Sequence, residues 1–116
     1  MNKSQSMVSV IMGVNRDDGS LLQSIESILR QTHNDLEFII VNDGSSEEVK
    51  GLVSEILDNR IVLINSVKIG LTAALNIALK KSKGKYIARH DAGDYSLKDR
   101  LNEQIKFLKQ NPAISM

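Results

Sequence analysis

The sequence has no cysteine and no tryptophan, and only one of its 116 residues is proline. Without cysteine the chain forms neither a disulfide nor a thiolate metal site, which is compatible with a reducing compartment. No apolar run approaches the ~20 residues that a membrane-spanning helix needs. Residues 1–6 are polar and lack the apolar stretch of a signal peptide. We therefore expect a cytoplasmic protein, with peripheral attachment of the full-length protein to the inner face of the membrane left open.

Aromatic residues make up only 3% of the chain, and the formal net charge is +1. Such a small charge creates no broad field that would attract nucleic acid, so we expect no nucleic-acid partner. Apolar residues account for 41%, which is ordinary for a globular domain with a core of Ile, Leu, Val and Ala. A chain of this length forms one domain. We assign residues 7–116 to that domain and residues 1–6 to a disordered amino-terminal tail.

Four short apolar runs, rich in Ile and Val, alternate with segments of helical periodicity. In the helical segments, apolar residues recur three or four positions apart and so share one face. This order predicts an α/β fold with a mostly parallel, Rossmann-like sheet of about four strands flanked by helices. The predicted strands are Val8–Met12, Leu36–Val41, Ile61–Ile64 and Lys85–Ala88.

Sequence signals also mark the predicted helix ends. Ser45 stands three residues before Glu48, which predicts a capping box for the second helix, and Ser96 gives a weaker signal of the same kind for the fourth. Either Asp18 or Ser20 is expected to cap the first helix. The third helix, which carries several lysines at its end, is predicted to stop at a glycine, Gly84.

Polar loops follow the first, second and fourth predicted strands, at 13–19, 42–46 and 89–94. The carboxyl ends of parallel strands meet at one edge of a sheet, where ligands of such folds bind. We therefore expect the three loops to lie together and to form a binding site. The residues expected at this edge are Asn15, Arg16, Asp43, Lys68, Asp91 and Asp94.

Each of these features also has a purely structural interpretation. Asp43 and the glycine after it fit a turn, and Asp91 and Asp94 fit loop or capping positions. His33 is expected in a surface loop after a helix. His90 is more ambiguous, because a histidine beside Asp91 fits a metal ligand or a general base as well as a structural residue.

The chain lacks the glycine-rich loops that usually cradle phosphates. Neither G-x-x-x-x-G-K-[ST] nor G-x-G-x-x-G occurs in it. A diphosphate at the sheet edge would more naturally be held by a divalent cation, which carboxylates spaced D-x-x-D or D-x-D coordinate.

Several motifs follow one another in a specific order along residues 7–112. They are Val8–Met12, Ser24–Thr32, Glu37–Ser45, Gly70–Asn76, Gly84–Arg89 and Asp91–Asp94. Together they resemble the amino-terminal, nucleotide-sugar-binding half of family 2 glycosyltransferases. The resemblance implies the GT-A fold, inverting transfer of a sugar from a nucleotide diphosphate sugar to an acceptor hydroxyl, and Mg²⁺ or Mn²⁺ as cofactor. It also implies a role in polysaccharide biosynthesis.

The same resemblance implies roles for individual residues. Asp43 occupies the position that typically hydrogen-bonds the nucleotide base in this family. Asp91 is the first residue of the D-x-D motif, whose acidic residues contact the ribose and the metal-bound diphosphate. Gly93 occupies the place of the second acid of that motif, so the metal is assigned to Asp91 and Asp94. With Lys68 added from its expected place at the sheet edge, the residues predicted to bind the nucleotide are Gly13, Val14, Asn15, Asp43, Lys68, Asp91 and Ala92.

No residue of the chain is a candidate for the carboxylate base that such an enzyme uses on its acceptor. We therefore expect no catalytic residue here and no activity of the isolated chain, as in a truncated enzyme or a remnant. One alternative is a degenerate nucleotide-binding domain, and another is a signalling receiver domain with Asp43 as phosphoacceptor. Without an acceptor half, Ile105, Leu108 and Ile114 are expected to be exposed and to favour a homodimer.

Overall fold

The computed structural model describes residues 7–111, in which four strands alternate with four helices. All neighbouring strands are parallel, and their order across the sheet is β3-β2-β1-β4. The predicted α/β class is confirmed, whereas residues 1–6 lie outside the described part. The elements are β1 (Val8–Val14), α1 (Leu21–Leu29), β2 (Leu36–Asp43), α2 (Glu47–Ser54), β3 (Ile61–Ser66), α3 (Leu71–Lys81), β4 (Tyr86–Arg89) and α4 (Arg100–Gln110).

The first three strands continue past the predicted apolar runs into polar residues. Pairing between β1 and β2 persists to Val14 opposite Asn42, and pairing between β2 and β3 persists to Asp43 opposite Ser66. Backbone pairing does not depend on the polarity of the side chain, so the ladder extends as far as neighbouring strands remain in register. Asp43 is therefore the last residue of a strand rather than part of a free loop.

Helices cover both faces of the sheet, which explains why its central strands are apolar on both sides. On one face, Met12 and Phe38 belong to a core with residues of α1, α2 and α4. On the other face, Ile39 and Val41 pack with residues of α3. Because that second core includes two alanines of α3, Ala74 and Ala78, the helix lies close against the strands.

Two glycines permit close contacts between the strands and α3 or the segment after it. A Cβ atom at Gly13 would lie 2.9 Å from Leu71 Cδ1, so the start of α3 approaches the end of β1 only because Gly13 has no side chain. A Cβ atom at Gly84 would lie 2.7 Å from the Ser9 amide nitrogen. Gly84 therefore serves backbone packing, and the prediction that it ends α3 is wrong, because the helix ends at Lys81.

The predicted capping boxes do not form. Ser46, not Ser45, caps α2 by accepting a hydrogen bond from the Val49 amide at 3.3 Å. Glu48 instead accepts a hydrogen bond from the Asp17 amide at 3.2 Å, which ties α2 to the loop after β1. Two serines in succession leave the cap position ambiguous by one residue in the sequence.

The last helix also departs from its prediction. It begins at Arg100, and Ser96 does not cap it but is buried against other polar side chains. Ile105 and Leu108 are only 5% and 7% exposed, so the expectation that they are uncovered is wrong. Both lie on the face of α4 that packs onto the sheet core, and Ile114 lies outside the described residues. Within residues 7–111 no helix has the length and apolar character needed to cross a membrane.

Candidate nucleotide-binding site

A cavity of about 420 Å³ opens at the carboxyl edge of the sheet. It is lined by the loops after β1 and β4, by the end of β2 and by the loop between β3 and α3. Its size is in the range of small-molecule sites in proteins. Arg16 lines it, whereas Asp94 is not among its lining residues. The seven residues predicted to bind the nucleotide all line this cavity: Gly13, Val14, Asn15, Asp43, Lys68, Asp91 and Ala92.

Two aspartates shape the loop after β1. Ser20 occupies the N-cap position of α1, as predicted, but its side chain makes no capping hydrogen bond. Asp17 accepts hydrogen bonds from the amides of Gly19 and Leu21, at 2.8 and 3.3 Å. Asp18 accepts from the amide and the hydroxyl of Ser20, and these hydrogen bonds hold the pKa of Asp18 below its ordinary value. Both carboxylates therefore stabilise the loop that presents Asn15 and Arg16.

Asp43 is buried at the end of β2, and both of its carboxylate oxygens are engaged. Oδ1 accepts a hydrogen bond from the Ile69 amide at 2.7 Å, and Oδ2 accepts one from the Gly70 amide at 3.0 Å. Asp43 thereby anchors the loop that carries Lys68 at the mouth of the cavity. A phosphoacceptor needs a freely reachable carboxylate, and this side chain is only 5% exposed, which argues against the receiver-domain alternative.

Asn42, which the sequence analysis did not single out, organises the turn after β2. Its side-chain amide donates hydrogen bonds to the Ser46 carbonyl and to Asn65 Oδ1, both at 2.9 Å, and its oxygen accepts one from the Ser46 amide. The following Gly44 has a φ of +95°. The turn predicted at Asp43-Gly44 therefore exists, but Asn42 rather than Asp43 holds it.

Asp91, after β4, forms an ion pair with Arg89. Arg89 Nε lies 2.6 Å from Asp91 Oδ1, and this hydrogen bond raises the pKa of Arg89. The chain then turns, with the Asp94 amide donating to the Asp91 carbonyl at 3.0 Å. Gly93 lies in this turn with a φ of +94° and lines the cavity.

His90 points away from the cavity into a buried polar cluster. Its Nε2 lies 2.9 Å from Ser24 Oγ and its Nδ1 lies 2.9 Å from Ser96 Oγ. Burial lowers the pKa of this imidazole. His90 is 1% exposed and does not line the cavity, so the structural interpretation is correct and the metal-ligand or general-base interpretation is wrong.

Arg100 completes this cluster and was not predicted. Its guanidinium donates to the Arg89 carbonyl at 2.8 Å and to Ser96 Oγ at 2.9 Å, so it holds both ends of the loop after β4. Burial lowers the pKa of Arg100. One sequence signal was available: Ser24 and Ser27 interrupt the apolar face of α1, and both are buried.

The residues at this edge do not fit a divalent cation. Mg²⁺ sites use one or two carboxylates together with substrate phosphates, at well-defined distances. Here Asp91 is paired with Arg89, Gly93 has no side chain and Asp94 lies outside the cavity lining. Across residues 7–111 no three acidic, histidine or cysteine side chains group together as a metal site would require.

Comparison with known proteins identifies similar chains. Residues 9–116 match the family described as Glycosyl transferase family 2. The chain is 45% identical over 109 residues to the O-antigen biosynthesis glycosyltransferase WbnJ of Escherichia coli, covering 90% of this chain and 42% of that protein. It is 41% identical over 108 residues to an uncharacterized glycosyltransferase of Rickettsia bellii, covering 92% of this chain and 16% of that protein.

A solved structure supports the fold. The mannosyltransferase PcManGT from Pyrobaculum calidifontis, in complex with GDP-Man and Mn²⁺, matches with a TM-score of 0.75 at 23% identity. The match covers 87% of this chain and 32% of that one. The predicted GT-A type of fold is thereby confirmed. This chain spans less than half the length of each of these relatives.

Proposed function

This chain belongs to glycosyl transferase family 2, and we propose that it supplies the donor-binding part of an inverting transferase. The reaction would move a sugar from a nucleoside diphosphate sugar to an acceptor hydroxyl. One observation carries the proposal. The seven residues predicted to bind the nucleotide come from four separate segments of the chain, and they line a single cavity.

The cavity offers suitable chemistry for each part of a nucleotide. Leu21 and Leu71 provide apolar lining for a base. Each carboxylate oxygen has two lone pairs, so Asp43 keeps acceptor capacity for a base N–H beyond its bonds to two backbone amides. Arg16 and Lys68 provide positive charge for phosphate oxygens. In this arrangement the sugar would lie towards Asp91 and Ala92.

The structural relative adds a ligand class to the proposal. Its complex holds a sugar nucleotide, GDP-Man, and the cavity of about 420 Å³ in this chain lies in the size range of small-molecule sites. The complex also holds Mn²⁺, but the residues found here do not fit that cation, so no step of the proposal depends on it. Homodimerisation, membrane attachment and a cytoplasmic location stay predictions of the sequence.

A second candidate function is nucleotide binding without catalysis. It is favoured by Gly93, which removes the acid expected at the second position of the D-x-D motif. The two functions share the binding step and differ in whether sugar transfer follows. Transfer by this part of the chain is addressed in the Discussion.

Binding is tested by titrating the ¹⁵N-labelled chain with UDP, GDP and dTDP while recording amide NMR spectra. We expect at least one nucleotide to shift the amides of Asn15, Lys68 and Ala92. Amides at the opposite edge of the sheet, such as those of Asn34 and Arg60, serve as an internal control and should not move. The proposal fails if no nucleotide binds, or if the shifts cluster at the opposite edge.

A further inference from the structure

We propose that this chain binds the nucleoside diphosphate without a divalent cation, with Arg16 and Lys68 meeting the charge of the diphosphate. The inference rests on the proposed function and concerns how the same cavity works. It goes against the metal dependence that the sequence resemblance implies. Three features of the cavity support it: the turn at Gly93, the ion pair of Asp91, and the placement of the two cations.

Position 93, in the turn after β4, lacks an acidic side chain and also has a backbone conformation that favours glycine. Gly93 has a φ of +94°, a backbone conformation in which any L side chain is strained. The hydrogen bond between the Asp94 amide and the Asp91 carbonyl fixes this conformation. The turn leaves Asp94 outside the cavity lining, so the next carboxylate along the chain does not replace the missing one.

The one acid of the motif that does line the cavity is already neutralised. Asp91 Oδ1 lies 2.6 Å from Arg89 Nε, and the two side chains are about equally exposed, at 48% and 52%. A metal ion at Asp91 would have to compete with a guanidinium in direct contact with the carboxylate. The guanidinium of Arg89 also offsets the negative charge that Asp91 would otherwise present to a diphosphate.

Arg16 and Lys68 approach the cavity from two different loops. Arg16 belongs to the loop after β1, which Asp17 and Asp18 stabilise, and Lys68 belongs to the loop that Asp43 anchors through Ile69 and Gly70. Both side chains are exposed. Among residues 7–111, neither is at salt-bridge distance from a carboxylate.

These two side chains suit phosphate oxygens. Arginine binds phosphate through paired N–H groups and lysine binds it as a compact charge. Together they supply two positive charges, which is the charge of the divalent cation that the site does not accommodate. The diphosphate is therefore neutralised by side chains on both sides of the cavity.

The test compares nucleotide affinity in excess EDTA with affinity in excess Mn²⁺, using calorimetric titration of the 116-residue chain with UDP, GDP and dTDP. We expect the dissociation constant of the best nucleotide to agree within about threefold between the two conditions. Lys68→Gln and Arg16→Gln should each lower the affinity for that nucleotide by about tenfold, because each removes a charge-assisted contact. Neither change should alter binding of the corresponding nucleoside, which has no phosphate.

Lys80→Gln is the matched control, since it removes the same charge from an exposed lysine that does not line the cavity. Its affinity should equal that of the unchanged chain, and thermal unfolding confirms that all variants are folded. Binding that requires Mn²⁺ overturns this inference and leaves the proposed function intact. Binding in EDTA that neither variant weakens also overturns the inference. Absence of binding in both conditions overturns the proposed function together with it.

Discussion

At the scale of single residues, Asp43 both anchors a neighbouring loop and lines the cavity. Its carboxylate binds two backbone amides of the β3–α3 loop, at 2.7 and 3.0 Å, and its position at the carboxyl end of β2 lies on the cavity. By anchoring this loop, Asp43 positions Lys68, which we propose to bind the diphosphate. Anchoring and the proposed binding are therefore connected at this site, because the Asp43 carboxylate holds the loop that carries Lys68.

His90 is the residue whose substitution best tests the buried polar cluster. We expect His90→Phe to lower the free energy of unfolding by about 2 kcal/mol, because the hydroxyls of Ser24 and Ser96 lose their ring-nitrogen partners in a buried place. His90→Gln retains a donor and an acceptor, so its loss should be smaller. Urea unfolding of both variants provides the measurement.

The partly exposed His33 supplies the contrast for that experiment. His33→Gln changes the same residue type in the loop before β2, where the side chain is partly exposed, so we expect a change within about 0.5 kcal/mol. Equal stability of His90→Phe and the unchanged chain would show that the buried hydrogen bonds contribute nothing.

The sequence predicted the location of a residue correctly where that location depends only on the order of strands and helices. Strand ends in a parallel sheet meet at one edge, so the convergence of Asn15, Asp43 and Asp91 follows from topology. The sequence analysis left the role of His90 open and missed Arg100, because the contacts of both depend on how α1 and α4 pack against the loop after β4. No periodicity in the sequence encodes that packing for a residue in a loop.

At the scale of elements, Arg60 joins three parts of the chain at the edge of the sheet opposite the cavity. Its guanidinium donates to the carbonyls of Leu29 and Asn34, at 2.9 and 3.1 Å, and forms an ion pair with Asp58. We expect Arg60→Met to lower the free energy of unfolding by about 2 kcal/mol, since the end of α1 loses a charged donor. Urea denaturation measures this loss.

Arg30→Met is the matched control for that variant. Arg30 is 70% exposed on the side chain and lies 3.7 Å from Glu26 within the same helix. Exposed pairs of this kind contribute little, so we expect a loss below about 0.5 kcal/mol. Equal losses in the two arginine variants would contradict the role of Arg60 as a connection between elements.

The same ion pair predicts a dependence on pH. The hydrogen bonds from Arg60 hold the pKa of Asp58 below its ordinary value of 3.8. The unfolded chain therefore binds this proton at a higher pH than the folded chain does, and acid favours unfolding. The contribution of Asp58 is complete above about pH 4 and is lost as the pH falls through its lowered folded pKa.

Arg60→Met should remove the side-chain part of this contribution, whereas the hydrogen bond from the backbone amide of residue 60 to Asp58 remains. The difference in unfolding free energy between the Arg60→Met variant and the unchanged chain, measured by urea titration, should be smaller at about pH 2 than at about pH 6. Other carboxylates titrate alike in both proteins and cancel in the difference. A difference that stays constant with pH would contradict the role given to the Arg60–Asp58 pair. For the control variant Arg30→Met we expect such a constant difference from the unchanged chain.

Element-level prediction was accurate for type and order but less so for boundaries. All four strands and four helices occur where the apolar runs and periodicities indicated. The strands run on because β-pairing continues into polar residues such as Asn42 and Asn65. The start of α4 was misplaced because Leu97, which fits the helical period, is 76% exposed and precedes the helix. Side-chain spacing does not distinguish a helical residue from an apolar residue in the preceding turn.

At the scale of the whole molecule, the cavity holds three carboxylates and all are engaged. Asp18 is bonded to Ser20, Asp43 to two backbone amides and Asp91 to Arg89. Deprotonating an acceptor hydroxyl requires a base within hydrogen-bond reach of it. A carboxylate that already stabilises a loop or pairs with a cation is poorly suited to that role, because proton uptake would break its contact.

We therefore expect the 116-residue chain to bind a nucleotide without transferring sugar from it. Incubation with UDP-, GDP- and dTDP-sugars and simple sugar acceptors should release nucleoside diphosphate no faster than a buffer control, measured by coupled detection of the diphosphate. The same mixtures with a longer family member serve as the positive control. Asp91→Asn breaks the ion pair with Arg89 without adding a base, so it should not create activity. The expectation is contradicted if the chain releases nucleoside diphosphate faster than buffer and Asp91→Asn abolishes this release. Asp91 would then be a catalytic group, and this part of the chain would be active by itself.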